Sequence, residues 1–246
     1  MAKLNPVFSG IRVEEGISEA ASVKGVASKT LLLFGVAVLS AILSLTYLAP
    51  VVYGTVAGYL FIVLGAIVAG ILGQVNPNAA KVCSFIYAAC EGALLGLVSV
   101  AFDAQVNGIV LTAVLLTGTV FGVMLLLYSS NIVRATARFA KVMSTLMISI
   151  VVLSLVYLIS YLINPNNLLI SAISNNPSVI ILIGVLMLAY GAFMLILDFE
   201  QVTTIVANGF DKKYEWTAAL GLMVTIVWIY IEILRLLYIL YQLYDN

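Results

Sequence analysis

The chain has 246 residues, of which 63% are hydrophobic and only 9% charged, and its 11 Lys plus Arg balance 11 Asp plus Glu. Soluble domains carry about 25% charged residues, so this composition indicates an integral membrane protein whose main partner is the lipid bilayer and excludes nucleic acid as a partner. Histidine is absent, so the usual zinc ligand and general base are missing, and any pH sensing must use carboxylates.

Long uncharged stretches predict the transmembrane helices, because a helix needs about 20 apolar residues to cross a hydrocarbon core of about 30 Å. The 51 uncharged residues between Lys29 and Lys81 fit two crossings, divided at Ala49-Pro50, where proline disfavours helical geometry. A second stretch, 142–197, fits two more, divided by segments rich in asparagine and proline. We predict an all-α bundle of seven transmembrane helices at about residues 30–48, 51–73, 82–102, 107–128, 142–163, 178–200 and 217–241, so that 28–246 form the membrane domain and 1–27 an N-terminal arm.

Basic residues alternate between the connections. The arm has four, the second loop one, the fourth loop three (Arg134, Arg138 and Lys141) and the sixth loop two, whereas the other connections and the C-terminal tail have none. Because Lys and Arg near span ends stay on the cytoplasmic side, we predict a cytoplasmic N-terminus and a C-terminus outside.

Ionisable side chains within the predicted spans are candidate functional residues, because each costs several kcal/mol to place in the membrane. Glu91 lies ten residues after Lys81, about 15 Å along the third helix and so near the midplane. It is either a protonated carboxyl group hydrogen-bonded to another helix or part of a water-filled path. Asp198 and Glu200 end the sixth span, either as functional carboxylates or as an ordinary solvated helix end.

The last span contains Glu232 and Arg235, whose three-residue spacing favours an ion pair on one face of the helix. Enzyme activity is not expected, because the sequence contains no histidine-based catalytic site, no paired aspartates and no phosphate-binding glycine loop. We also expect no resident cofactor.

Several motifs together resemble a known family. The third helix contains Tyr87-Ala-Ala-Cys-Glu-Gly-Ala-Leu-Leu-Gly, the sixth ends in Asp198-Phe-Glu-Gln, the last opens with Tyr214-Glu-Trp, and the arm contains Asn5-Pro-Val-Phe. This combination resembles the Bax inhibitor, or transmembrane Bax-inhibitor-motif, superfamily, and within it the prokaryotic Bax inhibitor/YccA-like subgroup. The resemblance implies a seven-helix bundle with one helix surrounded by the others, and a prokaryotic inner membrane as its location.

For several members of that family, the resemblance implies a pH-sensitive calcium leak. In those members, two aspartates near the cytoplasmic ends of the last two helices share a proton and, with an arginine from the second helix, latch the pore. Asp198 matches the first aspartate, but Thr225 stands where the second is expected, and the second span contains no arginine. Glu91 matches a glutamate in the third helix of many animal members.

We therefore predict a pH-sensitive cation leak. Ca²⁺ is the ion we expect it to conduct, because oxygen ligands suit this ion. Asp198 and Glu91 are the candidate gates and transient Ca²⁺ ligands, and Thr225, Glu232 and Arg235 are candidate supporting residues. The alternative is a membrane regulator that transports nothing and binds other membrane proteins, such as a membrane protease, through the arm and the basic fourth loop. A proton-coupled carrier using Glu91 is a third alternative.

Overall fold

A computed structural model describes residues 19–45, 56–165, 167–174 and 176–244, and almost all of this part of the chain is helical. The helices found within these ranges, numbered here in chain order, are α1 (Val23–Leu43), α2 (Val56–Val75), α3 (Ala80–Asp103), α4 (Ile109–Ser129), α5 (Ala137–Ile163), α6 (Leu168–Ser174), α7 (Pro177–Ala207) and α8 (Tyr214–Tyr244). Seven of these helices, all except the short α6, are long and apolar enough to cross a membrane. The predicted fold class, all-α with seven membrane-spanning helices, is confirmed for the described residues.

Two helices extend well beyond the spans predicted from hydropathy. α1 begins at Val23 rather than near residue 30, because the Ser22 side chain accepts a hydrogen bond from the Gly25 backbone and caps the helix there. α7 continues past residue 200 to Ala207. Hydropathy marks the part of a helix suited to hydrocarbon, whereas backbone hydrogen bonding continues into polar surroundings.

Other boundaries agree more closely with the sequence. α5 ends at Ile163 as predicted but begins at Ala137, where the Thr136 side chain accepts a hydrogen bond from Phe139. α7 begins at Pro177, a first-turn position that suits proline because no backbone N–H is needed there. The predicted division at Ala49-Pro50 and residues 1–18 of the arm lie outside the described residues.

The helices group into two compact units, the first formed by residues up to Val110 together with Asp198–Val227. In this unit α1 and α3 pack closely. A side chain at Gly92 would overlap the Ala37 carbonyl oxygen, and a Cβ at Gly96 would lie 3.0 Å from the Ala41 Cα atom. The Ser40 hydroxyl also donates to the Ala89 carbonyl oxygen at 2.6 Å. Small residues therefore bring the two backbones into contact, as in many membrane helix pairs.

The first half of α8 is the enclosed element of the first unit. Residues 217–223 are buried without interruption, and α8 is the most buried of the seven spans. A Cβ at Gly73 of α2 would lie 2.5 Å from the Leu220 side chain, so α2 packs directly on this segment. A helix that is apolar and buried on all sides is a core helix, which makes polar residues on it informative.

The second unit contains residues Leu111–Leu197 and the end of the chain from Trp228. Here the Tyr190 hydroxyl donates to the Met143 carbonyl oxygen at 3.2 Å, and its ring lies 5.7 Å from that of Trp228. A Cβ at Gly184 would lie 2.5 Å from the Leu236 side chain, so a glycine permits close packing of α7 on α8 in this unit as well.

Candidate functional site

Asp198 lies in the buried part of α7 and is only 9% exposed. It is the 22nd residue of a 31-residue helix, so a full two turns of α7 follow it. Of the two alternatives left open by the sequence, a solvated helix end is therefore wrong for Asp198. Glu200, two residues further on, is half-buried.

Polar side chains from three helices surround Asp198. The Thr225 hydroxyl of α8 donates a hydrogen bond to its carboxylate. Gly221 lies one turn before Thr225, and a Cβ placed there would be 3.6 Å from Asp198 Oδ1, 3.8 Å from Gln201 Oε1 and 3.2 Å from Gln74 Nε2. The absence of a side chain at Gly221 thus allows α2 and α7 to bring three polar groups together. We call these residues, with Thr217, the Asp198 cluster (Gln74, Asp198, Gln201, Thr217, Gly221 and Thr225).

Two buried oxygen atoms in this cluster have no hydrogen-bond partner among the described residues, Asp198 Oδ2 and Thr217 Oγ1. The Gln74 side chain donates to the Thr217 carbonyl oxygen, at 3.5 Å, rather than to the hydroxyl. No lysine or arginine in the described part of the chain forms an ion pair with Asp198. The cluster therefore holds one carboxylate, neutral polar partners and unsatisfied oxygen atoms.

The structure brings together Asp198 and Thr225, which the sequence had assigned to corresponding positions of the last two helices. The resemblance implies an arginine on the second helix, but α2 contains none and approaches the cluster with the neutral side chain of Gln74. Gln74 and Gln201 were not predicted from the sequence, because neutral amides near span ends give no signal by composition or spacing.

Glu91 lies in a different place, half-buried on α3. Tyr87, one turn earlier, and Cys90, the preceding residue, are its neighbours on the same helix. Both are packed towards α2, because a Cβ at Gly70 would lie 3.3 Å from the Tyr87 ring and one at Gly65 would lie 3.4 Å from Cys90 Sγ. The structure shows no interaction between Glu91 and Asp198. The two carboxylates therefore do not form a pair.

Glu232 and Arg235 form the ion pair that their spacing predicts, with Arg235 Nη2 donating to Glu232 Oε1 at 2.5 Å. Glu232 is 6% exposed, and its carboxylate faces Gly184 of α7, where a Cβ would lie 3.4 Å from Oε1. The pair belongs to the second unit, and its contacts are those of a structural pair within one helix.

A further buried carboxylate, Glu215, was not singled out from the sequence. It is 1% exposed, and its Oε2 accepts a hydrogen bond from Lys29 Nζ at 2.6 Å. The Ser22 backbone N–H donates to Oε1 at 2.7 Å, and the Ser22 hydroxyl lies 3.2 Å from the same atom. Acidic residues are common in the first turn of a helix, so position alone gave no reason to expect burial.

No group of three or more His, Cys, Asp or Glu side chains that could hold a metal ion occurs in the described residues. A cation at the Asp198 cluster would thus be bound by one carboxylate with amide and hydroxyl oxygen atoms. Such a set suits transient passage better than tight retention, because Ca²⁺ affinity depends on the number of charged ligands and the rigidity of the site.

A family model described as Bax inhibitor 1 like matches residues 5–242 of the chain. A search of curated proteins gave no match, and neither did a search of solved structures. The matched range contains every residue of the Asp198 cluster, Glu91, the Lys29–Glu215 pair and the Glu232–Arg235 pair.

Proposed function

The chain belongs to the Bax inhibitor 1 like family, as its motifs predicted, and from this membership we propose that it is a pH-sensitive cation leak channel with Asp198 as its gate. It is an integral multi-pass membrane protein. In this proposal it acts without catalysis and without a resident cofactor, in a prokaryotic inner membrane, with the N-terminus in the cytoplasm.

The observation that carries the proposal is the burial of the Asp198 carboxylate in a membrane-spanning helix without a cationic partner among the described residues. A purely structural role would be served at lower cost by an apolar residue or by a paired charge. A lone carboxylate with one unsatisfied oxygen atom is instead suited to binding a proton or a cation in turn.

The chemistry of the Asp198 cluster fits a hard cation as the transported species. Ca²⁺ prefers oxygen ligands, and the cluster offers the Asp198 carboxylate, the Gln201 amide oxygen and the hydroxyls of Thr217 and Thr225. A single negative charge attracts the ion and also lets it leave, which conduction requires.

Gating follows from a change in the charge of Asp198. The ionised carboxylate accepts the Thr225 hydrogen bond and attracts a cation, whereas the protonated group is neutral and can donate a hydrogen bond itself. Each state favours a different arrangement of α7 against α8 at Gly221. Because this chain has no histidine, a carboxylate is the group available for such a switch.

Glu91 is the second gate candidate in this proposal. Its half-buried position in the middle of a membrane-spanning helix supports a role as a second ionisable group, separate from Asp198. The space beside Gly92 and Gly96 is filled by α1, so those glycines serve helix packing and do not widen a passage next to Glu91.

The test is Ca²⁺ flux into dye-loaded proteoliposomes for the native chain, Asp198→Asn and Glu91→Gln. Glu200→Gln is the matched control, because it neutralises a half-buried carboxylate on the same helix outside the cluster. We expect Asp198→Asn to change the flux and Glu200→Gln to leave it near native. Flux that is unchanged in both Asp198→Asn and Glu91→Gln would overturn the proposal.

The alternative, a regulator that binds other membrane proteins, is supported by a different surface. Arg134, Arg138 and Lys141 of the fourth loop and the start of α5 are all exposed. Exposed basic side chains at a membrane surface also suit lipid headgroups. Replacing all three with glutamine would abolish partner capture under this alternative, whereas a leak channel would keep its flux and its pH dependence.

A further inference from the structure

The membrane-proximal end of the N-terminal arm is attached to the connection between α7 and α8. The Ala21 N–H donates to the Phe210 carbonyl oxygen at 2.8 Å, and the Lys212 N–H donates to the Glu19 carbonyl oxygen at 3.1 Å. These bonds flank an isolated antiparallel bridge between Ala20 and Asp211. We call residues 19–22 the strap.

The strap ends at the buried Glu215 carboxylate. Ser22, which caps α1, also donates its backbone N–H to Glu215 Oε1 at 2.7 Å, and Lys29, two turns along α1, binds Oε2 at 2.6 Å. A side chain at Gly25 would overlap this carboxylate, so a glycine on α1 makes room for it. Lys29 further donates to the Lys212 carbonyl oxygen at 3.3 Å.

An exposed ion pair between Glu19 of the strap and Lys212 also joins the strap to the connection between α7 and α8. The Glu19 carboxylate raises the pKa of Lys212. The two pairs differ in burial, since the Lys212 and Glu19 side chains are 54% and 63% exposed, whereas those of Lys29 and Glu215 are 14% and 1% exposed. Exposed pairs contribute little to stability, while breaking a buried pair leaves an uncompensated charge. The connection thus depends on the buried pair.

Glu215 is the second residue of α8, and the same helix carries Thr217, Gly221 and Thr225. Ten residues of helix separate Glu215 from Thr225, about 15 Å along the axis. Because a helix transmits displacement as a rigid element over this length, fixing its first turn also fixes the position of the hydroxyl that binds Asp198.

We propose that Glu215 is a positioning residue for the Asp198 cluster. Through its bonds to Ser22 and Lys29, Glu215 couples the strap to the position of α8, so the strap is part of the membrane domain and not only a surface that could bind other proteins. This inference rests on the proposed function only in taking Asp198 as the gate. It predicts that releasing Glu215 loosens α8 against α7 at Thr225, although neither Lys29 nor Ser22 touches the cluster.

The experiment measures the rate at which a small water-soluble thiol reagent modifies a cysteine introduced by Thr225→Cys, with the two free cysteines, Cys83 and Cys90, replaced by alanine. Thr225 is 7% exposed, so reaction requires opening at the cluster. We expect Lys29→Gln and Glu215→Gln each to raise this rate by about fivefold or more, the lower end of typical coupling between sites. Lys24→Gln is the matched control, because it removes an exposed lysine from the same helix.

Lys29→Arg, which keeps the charge, should restore the native rate. Equal rates in all variants, or an equal rise with Lys24→Gln, would overturn the inference. If Thr225→Cys prevents folding, a cysteine introduced by Gln201→Cys provides the second measurement with the same reagent, because Gln201 is half-buried and lies on the α7 side of the cluster. There Lys29→Gln should raise the rate and Lys24→Gln should not. Neither measurement depends on ion flux. A chain that shows this pattern of rates but conducts no ions would therefore overturn the proposed function and leave the role of Glu215 intact.

Discussion

The Thr225 hydroxyl donates a hydrogen bond to the Asp198 carboxylate, linking α8 to α7 at a buried point of the first unit. Thr225 occupies the position where the resemblance implied a second aspartate. In this chain the polar link between the two helices consists of one carboxylate and one hydroxyl, so it lacks the second carboxylate that proton sharing requires.

Removing that hydroxyl should destabilise the protein. Thr225→Val keeps the shape of the side chain but leaves the buried carboxylate without its donor, and loss of a hydrogen bond to a charged group costs about 1.5–3 kcal/mol. Thr225→Ser keeps the donor and should lie close to the native chain. Thermal unfolding in detergent measures both, and equal midpoints for the valine and serine variants would show that the bond contributes nothing.

Restoring the second carboxylate should change the form of the pH response. In Thr225→Asp two carboxylates would face each other, and a pair so close binds and releases protons in two coupled steps. We expect the flux of this variant to respond to pH over a wider range than that of the native chain. Thr225→Asn, which adds no charge, is the control and should not widen the range.

Filling the gap at Gly221 should impair the site without unfolding the helix. A Cβ at this position would lie 3.2 Å from Gln74 Nε2, tighter than most side-chain contacts, so the amide must move. We expect Gly221→Ala to lower Ca²⁺ flux while the protein remains folded. Gly118→Ala, on a face of α4 where a Cβ meets nothing within 4 Å, should leave the flux unaltered.

Close packing between α1 and α3 gives a prediction about stability alone. A side chain at Gly92 would overlap the Ala37 backbone, which cannot give way as a flexible side chain does. Gly92→Ala should therefore destabilise the protein by roughly 1–3 kcal/mol, the usual cost of overpacking. The same substitution at Gly118 should be neutral or slightly stabilising, because alanine is the better helix former. Similar unfolding midpoints for the two variants would be inconsistent with this packing.

Hydropathy was sufficient to predict the seven spans, because hydrocarbon thickness sets their length. It placed the start of α1 too late and the end of α7 too early, since Val23 and Ala207 belong to helix that continues beyond the apolar stretch. Capping side chains such as Ser22 give a better signal for the true ends than charge does.

The site was predictable only in part. Asp198 stood out because a carboxylate near an apolar stretch is costly, and motif resemblance directed attention to Thr225. Gln74 and Glu215 could not be found in this way. Gln74 meets the cluster across more than 120 positions of sequence, and the partners that bury Glu215 lie 186 and 193 residues away from it. Such contacts depend on tertiary packing, which local patterns do not encode.

The most direct test of Asp198 as the gate is Ca²⁺ flux into proteoliposomes between roughly pH 5 and 8, comparing the native chain with Asp198→Asn. We predict that the native flux changes with pH and that the asparagine variant, which cannot ionise, loses most of this dependence. The same pH profile in both chains, or no flux above empty liposomes from protein shown to be folded, would contradict a carboxylate-gated leak.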